Sequence, residues 1–294
     1  MSRQKQKVNK PGRRLVALPI AIIIAAVMVY FYKDAVSAPE TDFDSIDTID
    51  GLTQVGKGIM ANISDISSSN MTLVISGDKA SLIDTGDSND EAQKIKDYLD
   101  KNGIVLNSII LTHMHKDHTA NLSMFETGSI KLYKPSDLEE GQVITLESKH
   151  LKILKTDGHT PRNTHVSVEV VEDNVLVAGD VVITDGLPAV GGSYKDLINA
   201  LKRVDSKGYS IIIPRHGAIM DSREATAKNL EYIENASKKI EELIKSGGAL
   251  PQIEDISIGD CISDVVSQGT ELLRQVHRFN LTNIYQQVIA ESGK

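Results

Sequence analysis

The stretch LTHMHKDHTAN, Leu111 to Asn121, places three histidines and an aspartate within the six residues His113 to His118, in a chain that has only eight histidines among 294 residues. It follows the apolar run Ile109-Ile110-Leu111, which reads as a short strand. In extended chain, residues i and i+2 share a face, whereas on a helix they diverge by about 200°. His113 and His115 can therefore converge on one point. Asp117 and His118 come where the chain turns away and can face a second point nearby. Imidazole and carboxylate groups are the usual protein ligands of Zn²⁺, Fe and Mn²⁺.

Four ligands do not fill two metal positions, so partners are expected at other loop ends. Three candidates stand there: His159 in TDGHTPRN, Asp180 in VLVAGDVV and His216 in IIIPRHGA. Each follows an apolar strand and neighbours a glycine or proline, as expected where a scaffold gathers ligands at one sheet edge. His150, His165 and His277 lack that context and read as structural. The single cysteine, Cys261, rules out an intrachain disulfide framework and reads as a small buried hydrophobe.

Around these motifs the chain alternates strands and helices. Strand-like runs lie at Ile59–Ile63, Met71–Ile75, Ala80–Ile83 and Ser108–Leu111, then at 130–133, 143–146, 150–155, 165–171, 174–178 and Ile211–Ile213. Helical patterns cover Asp90–Asn102, Lys195–Val204, Arg223–Ile244 and, after a Gly-Gly-Ala-Leu-Pro break, about Cys261–Gln275. Grouped strands interleaved with helices in two halves predict an α/β fold of two packed sheets with helices outside.

The N-terminus has a different character. Residues 1–14 carry six basic and no acidic residues, and Leu15–Tyr32, LVALPIAIIIAAVMVYFY, carries no charge. As a helix this run spans about 27 Å, close to the hydrocarbon core of a bilayer, with Tyr30, Phe31 and Tyr32 where an aromatic belt belongs. Val36-Ser37-Ala38 resembles a cleavage site, but Pro39 would hinder processing, so the segment reads as an uncleaved anchor. The basic flank predicts a cytoplasmic N-terminus and a single-pass cell-membrane protein whose catalytic domain is extracytoplasmic. The expected organisation is a basic tail (1–14), a transmembrane helix (15–32), an acidic linker (33–50) and a catalytic domain (51–294) with a helical C-terminal part (221–294). The chain carries a net charge of −8, so residues 15–294 sum to −14. A body that acidic argues against nucleic acid as the partner and leaves a small-molecule substrate.

Together the motifs resemble the metallo-β-lactamase superfamily over roughly residues 51–220 and the helices beyond. The five motifs appear in order: Asp84 in LIDTG, HMHKDH, His159 in GHTP, Asp180 in GD and His216 in PRHG. The resemblance implies a four-layer αββα sandwich with a dinuclear site, two Zn²⁺ with Fe or Mn as alternatives. It assigns His113, His115 and His159 to one metal and Asp117, His118 and His216 to the other, with Asp180 bridging. Asp84 would order the metal loop from beneath by hydrogen bonds. The implied chemistry is attack on an ester, thioester or lactone of a small molecule by a metal-bridging hydroxide, with Asp117 orienting it and passing a proton to the leaving group.

A bridging aspartate at Asp180 sets the chain apart from true β-lactamases of that superfamily. The resemblance there is to the hydroxyacylglutathione hydrolases, lactonases, alkylsulfatases and tRNA 3′-processing nucleases, of which the nuclease reading suits neither the acidic body nor the membrane anchor. Two departures concern the substrate loops. Thr119-Ala120-Asn121 stand where many members have glycines, and Arg162 follows Pro161 where many have glycine, which makes Arg162 a candidate substrate-facing cation. Two rival readings are a di-iron oxidoreductase on the same ligands and a membrane-tethered sensing domain that keeps the metal for structure.

Overall fold

Ile109 and Ile110 face opposite ways, and that alternation organises the molecule. Ile110 joins a core between two sheets, while Ile109 joins one between a sheet and its outer helix. A computed structural model describes residues 47–63, 68–125, 128–263 and 271–292. The unit Met1–Glu40 lies outside the described residues, and with it the expected basic tail and membrane helix. Among the described residues, no helix is long and apolar enough to cross a membrane.

The first sheet runs in chain order: β1 (Thr48–Ile49), β2 (Leu52–Gly56), β3 (Ile59–Asn62), β4 (Met71–Ser76), β5 (Lys79–Ile83), β6 (Val105–Ile110) and β7 (Lys131–Tyr133). The second has the order β12 (Ile211–Pro214), β11 (Val175–Gly179), β10 (Val166–Val170), β9 (Lys149–Lys155), β8 (Val143–Leu146). Neighbours are antiparallel except β5–β6, β6–β7 and β11–β12. The inner faces meet through Val74, Ile83 and Ile110 on one side and Ile153, Val168, Val177 and Ile213 on the other.

Helices cover both outer faces. α1 (Asn89–Asn102) packs Ala92, Ile95 and Leu99 onto Leu82 and Ile109. Short α2 (Lys116–Thr119) and α3 (Leu122–Phe125) follow β6. α4 (Tyr194–Lys207), α5 (Ser222–Lys245) and α6 (Glu271–Ser292) cover the second sheet at Leu154, Leu176 and Ile212. The side chains of Ser88, Ser193 and Asp221 accept the N-cap hydrogen bonds of α1, α4 and α5. The order is helix, sheet, sheet, helix, the expected αββα architecture.

Three local expectations need correction. β1 and β2 are strands that periodicity missed; in β2 the buried residues are Leu52 and Val55, because a register shift between Gln54 and Gly56 breaks the alternation. β1 also extends the sheet to Thr48, ahead of Gly51. The last helix runs Glu271–Ser292, so the pattern read over Cys261–Gln275 overlaps only its first turn. The buried positions of α6 include the polar His277 and Asn280, which hide its apolar stripe.

Candidate metal centre

All five motifs emerge from the C-terminal ends of strands: Asp84 after β5, His113 after β6, His159 after β9, Asp180 after β11 and His216 after β12. The chain beyond β6 stays sheet-like. Leu111 N–H donates to Tyr133 O at 3.0 Å, and Thr112 O accepts from Val166 N–H at 2.8 Å. His115 keeps extended dihedrals as the residue before α2, and His118 lies buried within α2. The parallel pairing of Gly179 with Pro214 brings Asp180 alongside Arg215 and His216.

One ligand atom from each of His113, His115, His159 and Asp180 lies within 4.8 Å of the others. His159 Nε2 is 3.2 Å from both His115 Nδ1 and Asp180 Oδ2. His118 Nε2 approaches Asp180 Oδ1 at 2.9 Å and Asp117 Oδ2 at 3.6 Å. His113 Nε2 stands 3.9 Å from Asp180 Oδ1. His216 is held nearby, its Nδ1–H donating to Ser68 O at 2.5 Å.

The hydrogen bonds turn the free nitrogens inward. His118 Nδ1–H donates to Asp84 Oδ2 at 2.7 Å and His159 Nδ1–H to Ala189 O at 3.0 Å, so each keeps a lone pair on Nε2. Asp84 also accepts from Thr112 N–H and Thr112 Oγ1–H, both at 2.8 Å. His165 is buried beside the cluster with both nitrogens satisfied. Its Nε2 accepts from Asp180 N–H at 3.1 Å, and its Nδ1 bonds Thr156 Oγ1 at 2.9 Å. His150 pairs with Glu172 on the surface, and His277 lies between Tyr232 OH and Ile256 O, away from the cluster's hydrogen bonds.

The residues fit a metal cation on two grounds. Buried His113 Nε2, His118 Nε2 and Asp180 Oδ1 have no hydrogen-bond partner, although they crowd together. Buried polar atoms are rarely left so, and divalent cations held between these histidines and Asp180 would satisfy them. Charge tells the same story. Burial opposes charge on His118, yet Asp84 and Asp180 outweigh it and push its pKa up to about 10. Asp180 is equally buried, but the surrounding His159, His118 and His113 hold it well below the ordinary carboxylate range. Burial lowers His113, His159 and His216, and takes His165 down to about 3. The pocket thus keeps Asp180 ionised and His113, His159 and His216 neutral, a donor set a divalent cation binds, while the proton that Asp84 and Asp180 hold on His118 is one such a cation would displace.

Glycine is required behind His159. Gly158 has φ +124°, and a Cβ there would sit 2.3 Å from the backbone N of Leu197 in α4. Gly191 N–H and Gly192 N–H in turn donate to His159 O and Gly158 O, both at 2.9 Å. At Thr119-Ala120-Asn121, by contrast, no glycine is needed. Ala120 has ordinary helical dihedrals, and Asn121 Nδ2 donates to Ser88 O at 3.1 Å.

Two placements differ from the reading of the sequence. Arg162 spends its guanidinium on the surface, donating to Asp196 Oδ2 at 2.7 Å and Oδ1 at 2.9 Å. Arg215, given no role from sequence, points into the cluster, where its Nη2 donates to Asp117 Oδ2 and its Nε lies 3.3 Å from Asp180 Oδ2. Ser69 Oγ also donates to Asp117 Oδ2, at 3.0 Å. The signal for Arg215 was its position: a lone cation one residue before a candidate ligand.

Hydroxyacylglutathione hydrolase 1 of Vibrio vulnificus is 34% identical to this chain over 176 residues, 55% of this chain and 66% of that protein's length. Atrochrysone carboxyl ACP thioesterase AacuM of Aspergillus aculeatus is 26% identical over 247 residues, 76% of each. Among solved structures, a metallo-beta-lactamase family protein from Thermus thermophilus shares the fold with a TM-score of 0.58, at 17% identity over 82% of this chain and 95% of that one. The profile of the Metallo-beta-lactamase superfamily matches residues 65–129 and 125–216. A match over half the chain, running from ahead of β4 to His216 and so through every motif at the sheet edge, shows that the chain belongs to the metallo-beta-lactamase superfamily.

Proposed function

We propose that this chain is a metal-dependent hydrolase that cleaves a thioester or ester bond of a small molecule. The convergence of unpartnered His113 Nε2, His118 Nε2 and Asp180 Oδ1 beside His115 and His159 carries the reading. Similarity to a hydroxyacylglutathione hydrolase and an ACP thioesterase supports the thioester class, with lactones as a related substrate. His113, His115, His159 and Asp180 would hold one cation; Asp117, His118 and His216 supply ligands for a second, with Asp180 shared. The nitrogen and carboxylate donor set suits Zn²⁺. A bound cation supplies Lewis acidity and lowers the pKa of water from 15.7 towards about 7.

The chain's own residues do the rest. Asp180 is fixed by the His165 bond to its backbone, and Asp84 and Ala189 set which nitrogens of His118 and His159 face the cluster. Asp117, the partly exposed carboxylate of the cluster, opens towards solvent and stays ionised, because His118 and Arg215 lower it against its burial. It takes a proton from the attacking water and returns one to the departing thiolate or alkoxide.

A panel of thioesters, esters and lactones tests the reading. Hydrolysis should vanish on chelation, return with Zn²⁺ and fall about 100-fold or more in Asp117→Ala. Equal rates in the wild type and that variant would sink it.

We further propose that residues 15–32 anchor the chain in the cell membrane with the catalytic domain outside the cytoplasm. The uncharged 18-residue run behind six basic residues supports this. The full-length chain should resist alkaline carbonate extraction from membranes, and its domain should be cut by protease added to the outer face. Release by carbonate would refute the anchor.

A further inference from the structure

The guanidinium of Arg215 lies among the ligands assigned to the second cation. Its Nη2 donates to Asp117 Oδ2, and its Nε is buried 3.3 Å from Asp180 Oδ2 without a completed hydrogen bond. Those carboxylates are the ones that second position needs. Asp117 Oδ2 is doubly engaged, since Ser69 Oγ–H donates to it as well. The four groups of the first position, His113, His115, His159 and Asp180, form a complete cluster without Asp117.

The backbone gives Arg215 little freedom to leave. Its N–H donates to Gly179 O at 3.2 Å, and its carbonyl accepts from Asn70 N–H at 2.7 Å. Asn70 Nδ2 clasps the flanking carbonyls of Pro214 and Gly217 at 2.8 and 3.2 Å. Any escape must come from the side chain alone. A guanidinium keeps its charge at every accessible pH, so it cannot turn neutral to share carboxylate oxygens with a divalent ion.

We infer that Arg215 is a built-in cation standing at the second metal position. The chain then loads one divalent ion tightly at His113, His115, His159 and Asp180, and a second only when the guanidinium withdraws. This rests on the metal-dependent reading above and restricts the two-metal expectation within it.

Cobalt titration of the metal-stripped full-length chain tests the inference, with cobalt per chain measured by mass spectrometry and the ligand field by visible absorption. Wild type should take one cobalt, with the second bound about 100-fold or more weaker, as expected for a divalent ion facing a fixed charge at contact distance. Arg215→Gly and Arg215→Gln should each take two with affinities within about tenfold. The glutamine keeps a hydrogen-bond donor towards Asp117, which guards against loss of fold, and circular dichroism checks both variants. Two cobalts of similar affinity in wild type would overturn the inference without any variant. One cobalt in all three proteins would also overturn it, while leaving the metallohydrolase reading intact. No cobalt in any would remove that reading and the inference together.

Discussion

Asp84 shows how much one residue can organise. It holds φ +59°, a conformation Asp tolerates better than most residues, and its carboxylate receives Thr112 N–H, Thr112 Oγ1–H and His118 Nδ1–H. Asp84→Ala should leave the Thr112 amide unpaired in a buried site and cost about 2–3 kcal/mol. It should also release His118, so thermal melts and metal content are expected to fall together. Cys261 makes the opposite prediction. It is fully buried, and burial raises its thiol to about 11. A disulfide reagent at about pH 8, near the ordinary thiol pKa, should leave it unmodified in the native protein and modify one thiol per chain after denaturation. At this scale the ligand-type residues were legible because they cluster with strands behind them. Arg215 was not, because an arginine's partner is chosen by which backbone runs beside it, here Gly179 across the β11–β12 pairing.

Among the elements, α6 acts furthest from where its sequence suggests. Asn280 donates to Pro188 O at 2.7 Å and accepts from Val190 N–H at 2.8 Å; Asn283 and Gln287 donate to Val190 O and Gly192 O. These bonds shape the loop whose Ala189 carbonyl holds His159 Nδ1. Asn280→Leu should strand two buried backbone groups, destabilise the fold by about 2–4 kcal/mol and loosen the first metal position. Competition with a chromogenic chelator should show weaker metal binding than in Thr282→Ala, a change on the same helix but on its exposed side. Periodicity located α1 and α4 because their buried faces are apolar, and α5 because its 24 residues carry Tyr232, Ile233, Ile240 and Ile244 on one face despite buried Thr226 and Asn229. It failed for α6, whose buried face reads polar until its loop partners are known.

For the whole molecule, metal and fold are coupled. The centre gathers Asp84, Asp117 and Asp180 around histidines, four of which, His113, His159, His165 and His216, are displaced downward in pKa by burial. A cation present at about 100 times its dissociation constant adds about 2.7 kcal/mol of stability. Chelation should therefore lower the melting temperature by about 5–10 °C for a domain of this size, and Zn²⁺ should restore it. No change on chelation would mean that the cluster is stable without a cation.

The sequence by itself determined the αββα class, since strands and helices carry their own periodicities. It also determined the candidate ligand list, since histidine and aspartate after apolar strands stand out without any partner in view. Only the tertiary structure decided how those residues divide. Which imidazole nitrogen faces inward depends on carbonyls and carboxylates up to 148 residues away, as with His216 and Ser68. Whether Asp117 meets a metal or a guanidinium depends on Arg215, 98 residues later. Local pattern records what a residue can bind; the packing of distant strands sets what lies within its reach.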